Sequence, residues 1–466
     1  MTGIQIRLAE IIEALSKALD MTEGQPEGHC IRCCYIGTHV GREIGLADDD
    51  LRDLYYTLLL KDLGCSSNAA RICELYLADD LSFKRDFKFV DGSLGQVLRF
   101  VISHTGMQAG LAERFRSILN ILQNGGELSS DLIQTRCQRG AEIARQMRFS
   151  EKVAQGILGL DEHWNGGGKP EGAAGEEIPL FSRIALLAQV IDIFHISGGP
   201  RSALKEIEKR RGDWFDPSLV DAFVSLSRRF DVWKDLGSAE LETLVLASEP
   251  GQHAVMADDD YLDDIAAGFA KVIDAKSPYT SGHSDRVALF TDLIAEEMGV
   301  EAEARRLLKR AALLHDIGKL GVSNSVLDKP AKLDEEEWRQ MQRHAEFSEQ
   351  ILSRIGAFSD AALIGGAHHE RLDGKGYPRG LTASDIPMEV RIVSTADVFD
   401  ALTADRPYRV AMPIARAIAV LREGAGQSHD PICIEALERA LARISLSQSA
   451  VVSLATGAEP PAGQAA

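Results

Sequence analysis

Seven residues in the C-terminal half have the types and order needed to build a reaction centre together. They are His283, the adjacent pair His315-Asp316, His344, the pair His368-His369, and Asp397. Five imidazoles and two carboxylates form a nitrogen and oxygen ligand set that suits iron, manganese, nickel or zinc, and it is too rich for a single ion. On apolar helices such groups are costly to bury without metal or hydrogen-bond partners. Lys319 lies three residues past Asp316, which predicts a place on the same helical face, one turn on. Asp397 and Asp400 are likewise three apart in an apolar segment. One His-Asp pair arises easily by chance. The second His pair, Asp397 and the segment His368-His369-Glu370-Arg371-Leu372-Asp373-Gly374-Lys375-Gly376-Tyr377-Pro378 together do not.

Helices must position these groups. Apolar residues recur at helical spacing, as in Leu289-Phe290, Leu293-Ile294 and Met298, and strand signals are few, so the expected class is all-α. An internal repeat sets the organisation. At an offset of 254, Gly28-His29 falls on Gly282-His283, Arg32 on Arg286, and Lys61-Asp62 on His315-Asp316. Further on the offset drops to 208, and Glu162, Gly168, Pro170 and Asp192 fall on Glu370, Gly376, Pro378 and Asp400. The first copy therefore holds 46 more residues than the second, within residues 66–150. The expected division is two tandem helical bundles, 1–245 and 259–445, a Pro/Gly-containing linker at 246–258, and a disordered Ser/Ala/Gly/Pro-rich tail at 446–466.

Composition narrows the function classes. The 466-residue chain carries a formal charge of −19, which argues against binding DNA, RNA or an anionic membrane surface. A local basic pocket is still compatible with it. The N-terminus has Glu10 and Glu13 where a signal peptide would be apolar, and no purely apolar run of spanning length is evident. Seven irregularly spaced cysteines fit reduced thiols in a cytoplasm, and Cys30, Cys33 and Cys34 lack the second pair of a structural zinc site.

Taken together, His315-Asp316-Ile317-Gly318-Lys319, His368-His369-Glu370, Asp373 to Pro378, and Asp397-Val398-Phe399-Asp400-Ala401-Leu402 followed by Arg406-Pro407-Tyr408-Arg409 resemble the HD-GYP family. This is the branch of the HD phosphohydrolase superfamily associated with hydrolysis of cyclic di-GMP. The resemblance spans about 180 residues, in order and spacing. It implies a helical bundle around two divalent ions, iron or manganese first, with nickel, zinc or magnesium as alternatives. One ion would take His283, His315, Asp316 and Asp397, and the other Asp316 as a bridge with His344, His368 and His369. A third ion is not expected, because Tyr279 stands where some members carry a Glu. Lys319, Asp400, Arg406 and Arg409, with Gly376, Tyr377 and Pro378, match positions implied in holding substrate or shaping its site. The family also links the Gly-Tyr-Pro surface to diguanylate cyclase domains.

The first copy departs from this pattern. Lys61 replaces His315, Leu160 and Asp161 replace His368 and His369, Gln189 replaces Asp397, and Cys65 replaces Lys319. An ammonium at position 61 would take the place of a cation beside Asp62. His104 and His163 lie off the ligand positions. The copy is expected to be catalytically dead and kept for packing, homodimerisation or regulation. The expected activity of the second copy is hydrolysis of cyclic di-GMP to linear pGpG, and further to GMP, by a hydroxide shared between the two ions, with Asp316 and Lys319 central. The alternatives are 3′,3′-cyclic GMP-AMP as substrate, or a non-catalytic protein that binds cyclic dinucleotides or a cyclase.

Overall fold

The computed structural model describes residues 6–107, 109–229, 231–251, 255–405 and 409–456. Helices make up nearly all of its regular structure, and among the described residues the strands are Ile6–Arg7 and Met256–Ala257. These two pair antiparallel, Ile6 with Ala257 and Arg7 with Met256, so the expected linker is pinned to the start of the first copy.

The repeat is visible in the elements. The helices His29–Glu43 and Asp48–Leu60 of the first copy correspond to His283–Glu297 and Ala302–Leu314 of the second. The helix Leu180–Lys209 corresponds to Met388–Thr403. Their apolar faces meet in one continuous core that passes from Leu15 and Leu59 in the first copy to Phe269, Leu314 and Phe399 in the second. Leu180–Lys209 is long and apolar enough, by length and composition, to cross a membrane, although Arg183 and Asp192 interrupt its apolar residues. Two thirds of that stretch is buried inside the molecule, where it forms a core helix.

The additional residues of the first copy fold as helices, chiefly Asp80–Phe87, Leu94–His104 and the 36-residue Leu111–Gln146. Asp80 crosses to the second copy. Its carboxylate accepts from the backbone N–H of Asn324 at 2.8 Å and from the buried Lys276 ammonium at 3.2 Å. The last helix, Pro431–Thr456, runs through part of the tail expected to be disordered. Its Leu446, Ala450, Leu454 and Ala455 are strong helix formers.

Candidate metal centre

The predicted ligands of the second copy come from five separate segments of the bundle and converge on Asp316. His283 opens the helix His283–Glu297, His344 lies within Glu335–Leu352, His368 follows the end of Ser359–Ala367, and Asp397 lies in Met388–Thr403. His315 and Asp316 were expected inside a helix. Instead Ala302–Leu314 ends just before them, and Ile317–Gly321 is a 3₁₀ turn. The chain tightens because Gly318 packs against the helix carrying His344, its N–H donating to Ser348 Oγ at 2.9 Å. The 3₁₀ turn brings the Lys319 ammonium directly onto Asp316.

The distances define a small cage. His283 Nε2 is 3.4 Å and His315 Nε2 3.3 Å from Asp316 Oδ2, whereas His344 Nε2 and His368 Nε2 are 3.5 and 3.6 Å from Oδ1. Asp397 Oδ1 is 3.5 Å from His283 Nε2. The donor atoms fall into two groups, each with its members within 4.8 Å of one another. One is His283, His315 and Asp397, and the other is Asp316, His344, His368 and His369. Asp316 touches both.

The far side of four of the five rings is tied down. Nδ1 of His315, His344 and His368 donates to the carbonyls of Ala312, Met341 and Gly365, at 2.7, 2.5 and 2.9 Å. Nδ1 of His283 is 2.7 Å from Asp400 Oδ2. Fixing Nδ1 in this way leaves Nε2 with a lone pair aimed inward, which is the arrangement metal-bound histidines adopt. His283 Nε2, His315 Nε2 and Asp316 Oδ1 are buried with no hydrogen-bond partner. Groups of this kind are costly unless something coordinates them, so the residues fit divalent cations.

Protonation agrees. Burial pushes His344 down to about 3, with the Lys319 charge adding to it, and holds His369 well below its ordinary range. Burial opposes the charge on Asp316, but His315 and Lys319 hold it well below the usual carboxylate range. Burial also opposes a charge on His283, yet Asp316 and Asp400 raise it to about 9, so the metal-free cage keeps a proton that a cation displaces.

Of the residues expected on the substrate, several do other work. Asp400 is buried and accepts at its two oxygens from His283 and Arg286, so it orients a predicted ligand. Arg409 caps a helix end by donating to the carbonyls of Leu402 and Ala401, at 2.9 and 2.5 Å. Gly376 lets the loop lie on the His368-His369 corner, because a Cβ there would stand 2.4 Å from Glu370 Cα and 2.6 Å from the His369 carbonyl oxygen. Tyr377 places its ring 4.8 Å from that of His369, the one predicted ligand that is not fully buried, and is joined to Pro378 by a cis peptide bond. Arg406 lies outside the described residues.

The first copy keeps the scaffold and fills the cage from within. His29 Nδ1 is 2.6 Å from Asp192 Oδ2, and Arg32 pairs with Asp192 Oδ1, reproducing His283, Asp400 and Arg286. Lys61 contacts Asp62 and stands 3.1 Å from His29 Nε2. A second ammonium, missed from sequence, arrives from the additional segment. Lys88 Nζ is 2.6 Å from Glu23 Oε2 and 3.0 Å from Oε1 of Gln189, the counterpart of Asp397. Burial pushes His29 down to about 4, with Lys61 adding to it. Burial also raises the Cys30, Cys33 and Cys65 thiols well above their ordinary range. His163 and His104 stack on Trp214 and Phe100, at 4.1 and 4.0 Å.

Comparison with known proteins agrees with this geometry. A family model described as HD domain matches residues 96–219 and 269–432. The chain is 54% identical over 434 residues to 3′3′-cGAMP-specific phosphodiesterase 3 of Vibrio cholerae, covering 93% of this chain and 94% of that protein. A 177-residue stretch of the chain is 42% identical to the cyclic di-GMP phosphodiesterase response regulator RpfG of Xanthomonas campestris, covering 38% of this chain and 47% of that one. A crystal structure of the cyclic GMP-AMP-specific phosphodiesterase V-cGAP3 of V. cholerae superposes with a TM-score of 0.65 at 48% identity, covering 94% of this chain and 98% of that one. The chain belongs to the HD domain family, as a tandem HD-GYP protein whose two copies differ in what fills their centres.

Proposed function

We propose that this cyclic-dinucleotide phosphodiesterase acts on 3′,3′-cyclic GMP-AMP, opening it to a linear dinucleotide at the centre of the second copy. The observation that carries the substrate is the 54% identity across both copies to a cGAMP-specific phosphodiesterase. The motifs of the second copy resemble a family associated with cyclic di-GMP, and a 177-residue stretch of the chain is similar to RpfG. Likeness over the whole chain favours cyclic GMP-AMP instead. A non-catalytic binding role gives way, since the relatives over either span are named as phosphodiesterases.

His283, His315, Asp316 and Asp397 would hold one divalent cation and Asp316, His344, His368 and His369 the other, with iron or manganese suited to this donor set. When bound, such ions neutralise phosphate charge and acidify water at neutral pH. The chain supplies the rest. Backbone carbonyls and Asp400 fix the imidazole tautomers, so no proton sits on an inward Nε2 when the centre is loaded. Lys319, with its side chain 13% exposed, is the cation at the rim. It exchanges its hold on Asp316 for a non-bridging phosphate oxygen and stabilises charge that grows as the P–O bond breaks. Tyr377 closes one wall beside His369.

The test is product chromatography after incubation of the reduced, iron- or manganese-loaded full chain with each dinucleotide. Faster opening of cyclic GMP-AMP is expected. Turnover of cyclic di-GMP alone would overturn the substrate assignment.

A further inference from the structure

Residues 66–150, which hold the length that the second copy lacks, build a layer with a small core of Ile72, Phe83, Val90 and Phe100. The same layer carries a large share of the exposed apolar side chains. Among the described residues, nine of the 21 exposed large apolar side chains fall between positions 87 and 122. On the helix Leu111–Gln146, Leu111 is 85%, Phe115 67%, Leu119 43% and Leu122 55% exposed. Their spacing of four, four and three puts them on a single stripe, and Leu98 and Ile102 of the preceding helix flank it, also exposed.

We propose that this stripe is the self-association face of the protein, on which the same helix of a second copy of the chain packs antiparallel about a two-fold axis. Three observations select that occupant. The six side chains expose on the order of 600 Å² of apolar surface, the apolar share of the roughly 800 Å² that each partner of a stable complex buries. The stripe continues into Gly125-Gly126, in the middle of a 36-residue helix. A Cβ at Gly126 would meet nothing within 4 Å and one at Gly125 only the helix's own Ile121 at 3.6 Å. Glycine weakens a helix interior, and packing within the chain does not require it at either position. A partner helix that approaches closely does.

Charge gives the direction. Arg114 and Arg116 precede the centre of the stripe, and Glu127 and Asp131 follow it. Arg116 and Glu127 share one flank of the helix, both exposed. With the axis beside Leu122, antiparallel packing sets Arg116 of each copy against Glu127 of the other, and the contact is isologous and closed.

Sedimentation velocity and light scattering on the full chain test this. The wild type is expected to run at twice the chain mass. Phe115→Glu and, independently, Gly126→Leu are expected to run as monomers with unchanged helical circular dichroism. Gly126→Leu guards against a trivial loss of folding, because leucine favours the helix and harms only a close partner. Arg116→Glu is expected to weaken the dimer at least tenfold, and adding Glu127→Arg to restore it. A wild type that is monomeric across a wide concentration range, or a dimer that survives both Phe115→Glu and Gly126→Leu, would overturn the proposal.

Discussion

The two centres share a backbone plan and differ in where their positive charge comes from. In the second copy, His283 Nε2, His315 Nε2 and Asp316 Oδ1 are buried without a hydrogen-bond partner, and imidazoles line both oxygens of Asp316. In the first, Lys61 reaches His29 Nε2 and Asp62, and Lys88 reaches Glu23 and Gln189. Covalently attached ammoniums satisfy the carboxylates there permanently. The difference shows that the motif has two separable layers. The His-Asp-Arg triad that aims the first imidazole is kept in both copies, at His29, Asp192 and Arg32 and at His283, Asp400 and Arg286. The full set of inward donors is kept in one, since the first copy retains His29 and Asp62 but not the counterparts of His315, His368, His369 and Asp397.

This contrast can be broken most strongly at Lys61. Lys61→Met leaves Asp62 buried without its cation, and removing one partner of a buried pair costs about 3–5 kcal/mol. Chemical denaturation of the full chain should show that loss, while the metal content of the second copy stays as it was. Unchanged stability would mean that the ammonium is not what holds the first centre together.

The shared triad is tested by a matched pair of variants. Asp400→Asn removes the acceptor that orients His283 and should weaken metal affinity by about 10–100-fold, the usual effect of losing an outer partner of a ligand. Asp192→Asn, at the corresponding place, should leave metal affinity unchanged. Equal effects on metal titration would erase the distinction between the copies.

A pH experiment sharpens the account of the first centre. Burial opposes the charge on Glu23, but Lys88 holds it at about 2, against an ordinary value of 4.5. A carboxylate lowered in the folded state contributes stability above its unfolded value and loses it as pH falls through its folded value. The stability advantage of wild type over Glu23→Gln should therefore be constant above pH 4.5 and shrink toward pH 2. An advantage that grows in acid would contradict the pairing. The smallest effect is expected at Arg409, where Arg409→Ala removes bonds to the Leu402 and Ala401 carbonyls. It should cost about 1 kcal/mol of stability, with little change in KM.

Much of the site was legible because ligation demands particular residue types. The order from His283 to Asp397 and the replacement of His315 by Lys61 are chemical statements that need no coordinates. The role of Asp400 was legible too, though it was assigned to substrate. Its counterpart Asp192 persists, together with Arg32, in a copy where Lys61, Leu160, Asp161 and Gln189 replace four of the predicted ligands, and a residue kept there serves the scaffold. Lys88 was hidden, because it comes from the additional segment and has no repeat partner to compare with. The 3₁₀ turn at Ile317–Gly321 was hidden as well, since it arises from Gly318 packing against the distant Ser348. The pairing of Ile6–Arg7 with Met256–Ala257 is a long-range contact between segments too short to show a strand period.

The most direct measurement is the number of metal ions retained per chain by the anaerobically purified protein, compared with Asp316→Ala and Asp62→Ala. Asp316 is the one group shared by both sets of donors in the second copy. The expected result is two ions in the wild type, two in Asp62→Ala, and none in Asp316→Ala, which also loses hydrolysis. Ions retained by Asp316→Ala, or lost from Asp62→Ala, would contradict the assignment of the working centre to the second copy.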